Sequence, residues 1–398
     1  MFQMKVKNQD KAQLIKNLQL ILFWALVTTI ILPSILSFTI VSIAFCLATI
    51  NSFAKNIKTY SKQTYGQWVG LAIFLVIGIL SSELLDKSLK AAYDITRYLF
   101  LFYFITPLLK NVTDKELTSS LIGFCIFISY VFLTIVVYTQ YTENSLIIRG
   151  SPLGYEVWGS HNLLSSGITT FFVLALCLIA TRNLSLSQSL IIITPLLYGI
   201  VCILSRGNIF SSLFVTIFLA LYYFKLPYKI FIALILLMLI AYIYLFFFFP
   251  CENDVCNLRI YARQYLYENT LAQFYERPLF GYGLSVFKLL SEIKEGAVFV
   301  IMPHNLILEL LYSVGLVGSI ALFSGLALWF YKSGWTFSTI KNIYPLPFPV
   351  IAALCLLIYL LTRGLFDLKL VSSQTFGLLA VIFSLLYSRK PDSVTNKQ

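Results

Sequence analysis

The chain has 398 residues, 59% of them hydrophobic and only 12% charged, with a mean hydropathy of +0.84, which excludes a soluble globular protein. A net charge of +12 rides on recurring apolar runs, each long enough to cross about 30 Å of hydrocarbon as a helix. Residues 1–398 therefore read as one integral membrane domain, with no metal-ligand spacing, no phosphate-binding glycine loop after a strand and no internal repeat.

In chain order, Lys5, Lys7, Lys11 and Lys16 precede an uncleaved first span at 18–32. A second follows at 35–54, split from the first at Pro33-Ser34 because proline interrupts the helical ladder. Further spans are expected at 66–82, 91–109, 117–139, 162–181, 189–205, 208–224 and 230–249. A long loop, 250–304, precedes the last three, at 305–331, 347–362 and 372–388, which makes twelve. With both termini cytoplasmic, the inside segments hold 17 of the 29 lysines and arginines, and of the acids only Asp10, Asp114, Glu116 and Asp392. That asymmetry follows the positive-inside rule, so the basic balance reflects topology and lipid headgroups and does not argue for a nucleic-acid partner.

Five cysteines fall within spans; Cys251 and Cys256 share the long outside loop, where a disulfide and two free thiols are the alternatives. The outside arginines stand at span ends: Arg149, Arg206, Arg259, Arg263, Arg277 and Arg363. Arginine near a bilayer surface is costly without a partner or a task. In "CILSRGNIFSSL", Arg206-Gly207 separates two runs with almost no loop, so the guanidinium stays at the interface as a snorkelling turn residue or an anion clamp. Residues 263–276 read as an amphipathic surface helix, with Tyr267, Leu271 and Phe274 on one face, ended by Pro278 and a Gly281-Tyr282-Gly283 turn.

In "MPHNLILELLYSVGLVG", Pro303 suits the first turn of a helix and puts His304 and Asn305 at the start of the tenth span. The helix dipole and nearby arginines disfavour imidazolium there, which leaves either a general base or an interfacial histidine with a structural hydrogen bond. Glu309, one turn deeper, needs a partner, for which the arginines are candidates. Arg363 and Asp367 are read as an ion pair or as acceptor contacts.

"LSRGNIF" between two spans, Arg263 fifteen residues before the proline of "ERPLFGYG", then "PHNLILELLYSVGLVG" opening the next span, together resemble the O-antigen ligase and O-antigen polymerase superfamily. The tail "YLLTRGLFDLKLVSSQTFGLLAVIFSLLYSRK" is similar to that of the ligases. The resemblance implies an all-α polytopic membrane protein of about twelve spans, a glycosyltransferase bundle of the GT-C class in the bacterial inner membrane, with a periplasmic active site. It implies transfer of O-antigen from undecaprenyl diphosphate to a sugar hydroxyl of lipid A-core, by a metal-independent inverting displacement that needs no cofactor. His304 would be the base, Arg206 and Arg263 would clamp the diphosphate, and Arg149, Asn305, Arg363 and Asp367 would contact substrate. O-antigen polymerase and protein O-oligosaccharyltransferase share the donor chemistry. A lipid-linked sugar transporter is the reading from another class, and the uncharged span centres oppose it.

Overall fold

The computed structural model describes residues 2–31, 35–146, 161–203, 205–224, 266–287, 305–343, 345–365 and 370–389, with positions 233 and 237 besides. All regular structure among these residues is helical. The helices are α1 (Phe2–Ile31), α2 (Ile35–Leu80), α3 (Leu85–Phe100), α4 (Phe102–Lys110), α5 (Asp114–Glu143), α6 (His161–Ala180), α7 (Leu186–Ile203) and α8 (Arg206–Phe224). After them come α9 (266–276), α10 (Leu306–Lys332), α11 (Phe337–Asn342), α12 (Phe348–Gly364), a π-turn (Ser373–Gly377) and α13 (Leu378–Ser388).

Among the described residues, five segments are long and apolar enough to cross a membrane: Gln13–Ile30, Asp114–Glu143, Leu186–Ile203, Gly207–Phe224 and Leu306–Lys332. Shorter apolar helices at Thr39–Ile50, Trp68–Leu80, Leu164–Ala180, Phe348–Gly364 and Gln374–Ser388 fall where spans are expected. This is a polytopic membrane protein. The expected span at 230–249 lies outside the described residues, apart from two helical positions.

Two expectations are corrected. The connection expected at 55–65 is instead continuous helix within the 46-residue α2, because no proline or glycine interrupts residues 51–65 and polar character alone does not break a helix. The span expected at 91–109 is two shorter pieces. α3 buries Ser88, Ala91, Ala92, Ile95 and Leu99 along one stripe and keeps Asp86, Lys87, Lys90, Asp94 and Arg97 on the other side, while α4 is buried along most of its length.

The most extensive helix contact joins α2 to α10. There Gly70 lies against the backbone of Ala321 and Gly325, so the two helices approach as closely as small residues permit. Below them an aromatic cluster locks α4, α10 and α13. Trp329 stacks flat on Phe383 at 4.5 Å, and Phe102 meets Trp329 edge-on at 5.0 Å and Tyr387 at 5.3 Å. At that end Arg389 binds Asp114 at 2.6 Å and donates to the carbonyls of Leu109 and Val112, which satisfies groups left open where α4 ends.

Candidate functional site

The other end of the bundle gathers the polar motif residues. α8 begins at Arg206, and two residues on, the buried Asn208 accepts the Tyr359 hydroxyl at 2.9 Å while donating to Ser205 Oγ at 3.0 Å. Tyr359 stands one turn before Arg363 on α12, so the "SRGN" turn and the end of α12 are fastened together.

Arg363 is only 4% exposed. Its Nη1 donates to Gln374 Oε1 at 3.0 Å, and its guanidinium lies 6.0 Å from the Tyr359 ring centroid; among the described residues Nε has no partner and no carboxylate pairs with the guanidinium. Three other arginines of the described structure have a carboxylate close by: Arg97 has Asp94 at 3.0 Å, Arg277 has Glu83 at 2.6 Å and Arg389 has Asp114 at 2.6 Å. A buried guanidinium loses several kcal/mol of hydration, so it calls for an anionic partner beyond the described residues, from the chain or from a ligand. Gln374, which holds it, belongs to the π-turn, a local widening of the helix that aims a side chain a regular turn would misplace.

Asn305 begins α10 against this end. Its Oδ1 accepts the amides of Ile307 at 2.9 Å and Leu308 at 3.1 Å, and Nδ2 donates to the Leu365 carbonyl at 3.2 Å, so one side chain caps α10 and ties it to the end of α12. Glu309 is buried one turn deeper, and its Oε2 accepts the backbone N–H of Leu370 at 2.7 Å. This amide, which the chain between α12 and the π-turn presents, is one partner of the carboxylate; the side chains of Arg206 and Arg263, the expected partners, lie outside the described residues.

The "ERPLFGYG" segment builds the adjoining wall. Within α10 the backbone leaves helical geometry at Gly315 (φ 62, ψ −165). Two helical rungs are lost there, and the loop supplies all four missing partners. Tyr282 and Gly283 amides donate to the carbonyls of Tyr312 and Ser313 at 2.9 and 2.8 Å, while the amides of Leu316 and Val317 donate to Pro278 and Leu279 at 2.9 and 3.1 Å. Unsatisfied backbone is expensive at membrane depth, so loop and helix break stabilise each other. A Cβ at Gly315 would strike the Leu279 backbone, and one at Gly281 (φ 69) the Tyr312 carbonyl.

Tyr282 then lies flat on Tyr312, ring centroids 5.0 Å apart, with the Arg277 guanidinium 4.6 Å from the Tyr282 ring centroid and Glu276 Oε2 accepting its hydroxyl at 2.7 Å. Burial, and then the bond to Glu276, push the Tyr282 phenol up to about 12, so it remains a donor. The surface helix expected at 263–276 is helical over 266–276, but Leu266 and Thr270 form its buried side, Tyr267 and Phe274 are half-buried, and Leu271 points outward.

The structure thus brings Asn305, Glu309 and Arg363 together with the start of α8. Arg149, Arg263, His304, Asp367, Cys251 and Cys256 lie outside the described residues, as does the Arg206 side chain. Sequence reasoning missed Asn208, Tyr359, Gln374 and Glu83. Asn208 was legible as a second polar residue in the tight "SRGN" turn, whereas Gln374 and Glu83 gave no signal apart from being polar at a span end.

Residues 190–323 match the family model described as O-antigen ligase. The match encloses "LSRGNIF", "ERPLFGYG" and "PHNLILELLYSVGLVG", so the three motifs lie within the matched segment. No curated protein matches the chain.

Proposed function

We propose that the chain is an O-antigen ligase that moves a polysaccharide from undecaprenyl diphosphate to a sugar hydroxyl of lipid A-core. The observation that carries this reading is the buried Arg363, 4% exposed and with no carboxylate partner among the described residues, beside the start of α8 and the start of α10. A diphosphate leaving group is the anion such a site calls for, and a guanidinium fork matches its oxygens.

In this reading Arg206, Arg263 and Arg363 hold the diphosphate, with Arg149 and Asp367 contacting donor or acceptor. His304 takes the proton of the acceptor hydroxyl as its oxygen bonds to the anomeric carbon. The bond from that carbon to the diphosphate oxygen breaks, its electron pair leaves on the diphosphate, and the anomeric centre inverts. The developing charge is met by fixed cations that need no reorganisation. Asn305, the residue that follows His304, caps α10 and binds the Leu365 carbonyl at 3.2 Å, which fixes the helix start from which His304 would act. No metal enters this scheme.

Charge supports the orientation. Lys16, Lys115, Arg182, Lys332 and Arg389 stand at the opposite end of the bundle, the side the positive-inside rule assigns to the cytoplasm, which leaves Arg363 facing the periplasm. The twelve-span count and the GT-C class belong to the same proposal.

A deletion strain complemented with each variant tests the reading on a lipopolysaccharide gel. Wild type should restore polymer on the core, and His304→Ala should leave bare core with full-length polymer on undecaprenyl diphosphate. Single repeat units on the core of the deletion strain would make the protein a polymerase instead.

A further inference from the structure

At the end of the bundle away from Arg363, the ends of α5, α6, α8 and α12 enclose a cavity of about 570 Å³ that the transfer chemistry does not use. α12 separates the two, with Phe348 lining the cavity and Arg363 fifteen residues on, about 23 Å along the helix. Lys115, Arg182, Asp114 and the tyrosines 222 and 223 form its polar side, and Phe348 and Ile351 its apolar side.

The charge of this cavity is positive. Asp114 is already neutralised by Arg389 at 2.6 Å, while Lys115 is exposed and no hydrogen bond or ion pair holds its ammonium among the described residues. Arg182 is the second cation, and its backbone is informative. It closes α6 in the left-handed region, φ 57, with its own amide on the Ile179 carbonyl at 2.9 Å and the Asn183 amide on that of Leu178 at 2.9 Å. Glycine takes that position without strain and arginine does not, so a strained arginine there argues for a use of its side chain. The side chain is also held in place: Nη2 donates to the Tyr223 hydroxyl at 2.9 Å, and the guanidinium lies 5.6 Å from that ring's centroid. The α12 N-terminus, which has no side-chain cap, adds the positive end of a helix dipole beside Phe348.

We propose that this cavity binds the phosphate headgroup of an anionic membrane phospholipid, with Lys115 and Arg182 on the phosphate oxygens and the acyl chains leaving along Phe348 and Ile351. Two cations lining a cavity of about 570 Å³, with an apolar wall leading into the bundle, fit a lipid headgroup better than a fully hydrated anion. The proposal needs the protein to sit in a membrane and is independent of what it transfers.

The test uses the purified full-length chain in neutral detergent, followed by thermal unfolding and by native mass spectrometry. Phosphatidylglycerol at about a hundredfold excess over Kd should raise the unfolding midpoint by about 3 °C and persist as a single retained adduct. Phosphatidylcholine and inorganic phosphate should do neither. Arg182→Gly relieves the left-handed backbone, so with Lys115→Ala it should fold with an unchanged or higher midpoint and lose both the shift and the adduct. An equal shift in that double variant, an equal shift with phosphatidylcholine, or an equal shift with inorganic phosphate would each overturn the proposal.

Discussion

The hydroxyl of Tyr359 donates to Asn208 Oδ1 at 2.9 Å, and this one bond joins the helix that begins at Arg206 to the helix that ends beside Arg363. Asn208 is 1% exposed, so removing its donor leaves a buried acceptor unpaired. Tyr359→Phe should therefore cost about 1–3 kcal/mol of stability and slow transfer, as should Asn208→Ala. The double variant should cost less than the two singles added, because each removes the same bond. Thermal midpoints and transfer rates of the four proteins check this, and full additivity would uncouple the two helices.

Arg363→Met separates binding from folding. A buried cation that no described carboxylate neutralises opposes folding, and methionine fills similar space without that charge, so the variant should unfold at the same or a higher temperature. Transfer should nevertheless fall at least about 100-fold, since a charged clamp on the leaving group is worth several kcal/mol in the transition state. A destabilised variant with normal transfer would show that Arg363 serves only the fold.

How much of this was visible in the sequence depends on the kind of interaction. Apolar runs give the membrane class and most helices, because crossing hydrocarbon requires a long uncharged segment whatever its neighbours are. The same rule fails at α2, where polar residues 55–65 look like a connection yet remain helical without proline or glycine, and at α3, whose Asp94 and Arg97 pair at 3.0 Å on an amphipathic helix. For the arginines, span-end position shows that each needs a partner or a task but not which one applies. Glu83 meets Arg277 across nearly two hundred residues, and that distance along the chain hides the pairing. "SVGLVG" reads as small residues in a span, and only the fold shows that Gly315 breaks the helix to receive "PLFGYG".

Gly315→Ala should disrupt that junction. The added carbon would meet the Leu279 backbone and the residue would have to hold φ 62, so both strain and clash act at one atom. We expect a loss of about 2–4 kcal/mol together with faster protease cleavage in 278–287, and transfer lost with it. Gly123→Ala, where nothing lies within 4 Å of the new carbon, is the control and should be neutral or slightly stabilising.

The Tyr282 phenol gives a test by pH. Its pKa is raised to about 12 from the ordinary value of about 10, so the folded state keeps a proton that the unfolded state releases first. The contribution is complete below about pH 10 and is lost as pH rises towards 12. The midpoint of wild type should therefore fall more steeply than that of Tyr282→Phe between those values, and the two should run parallel from pH 7 to 9. Parallel curves over the whole range would remove the burial and the Glu276 bond as the cause.

Glu309 distinguishes a structural carboxyl from a reacting one. Its Oε2 accepts the Leu370 amide at 2.7 Å in a site 4% exposed, and glutamine can present a carbonyl oxygen to the same N–H. Glu309→Gln should keep both the thermal midpoint and the transfer rate within about twofold, since the bond survives and no charge is needed for it. Glu309→Ala leaves a buried amide without an acceptor and should cost about 1–3 kcal/mol, loosening the chain between α12 and the π-turn and so the Gln374 that holds Arg363. If glutamine instead preserves the fold and abolishes transfer, the carboxylate charge itself acts on substrate, and the proton and charge assignments given to His304 and Arg363 must be shared with Glu309.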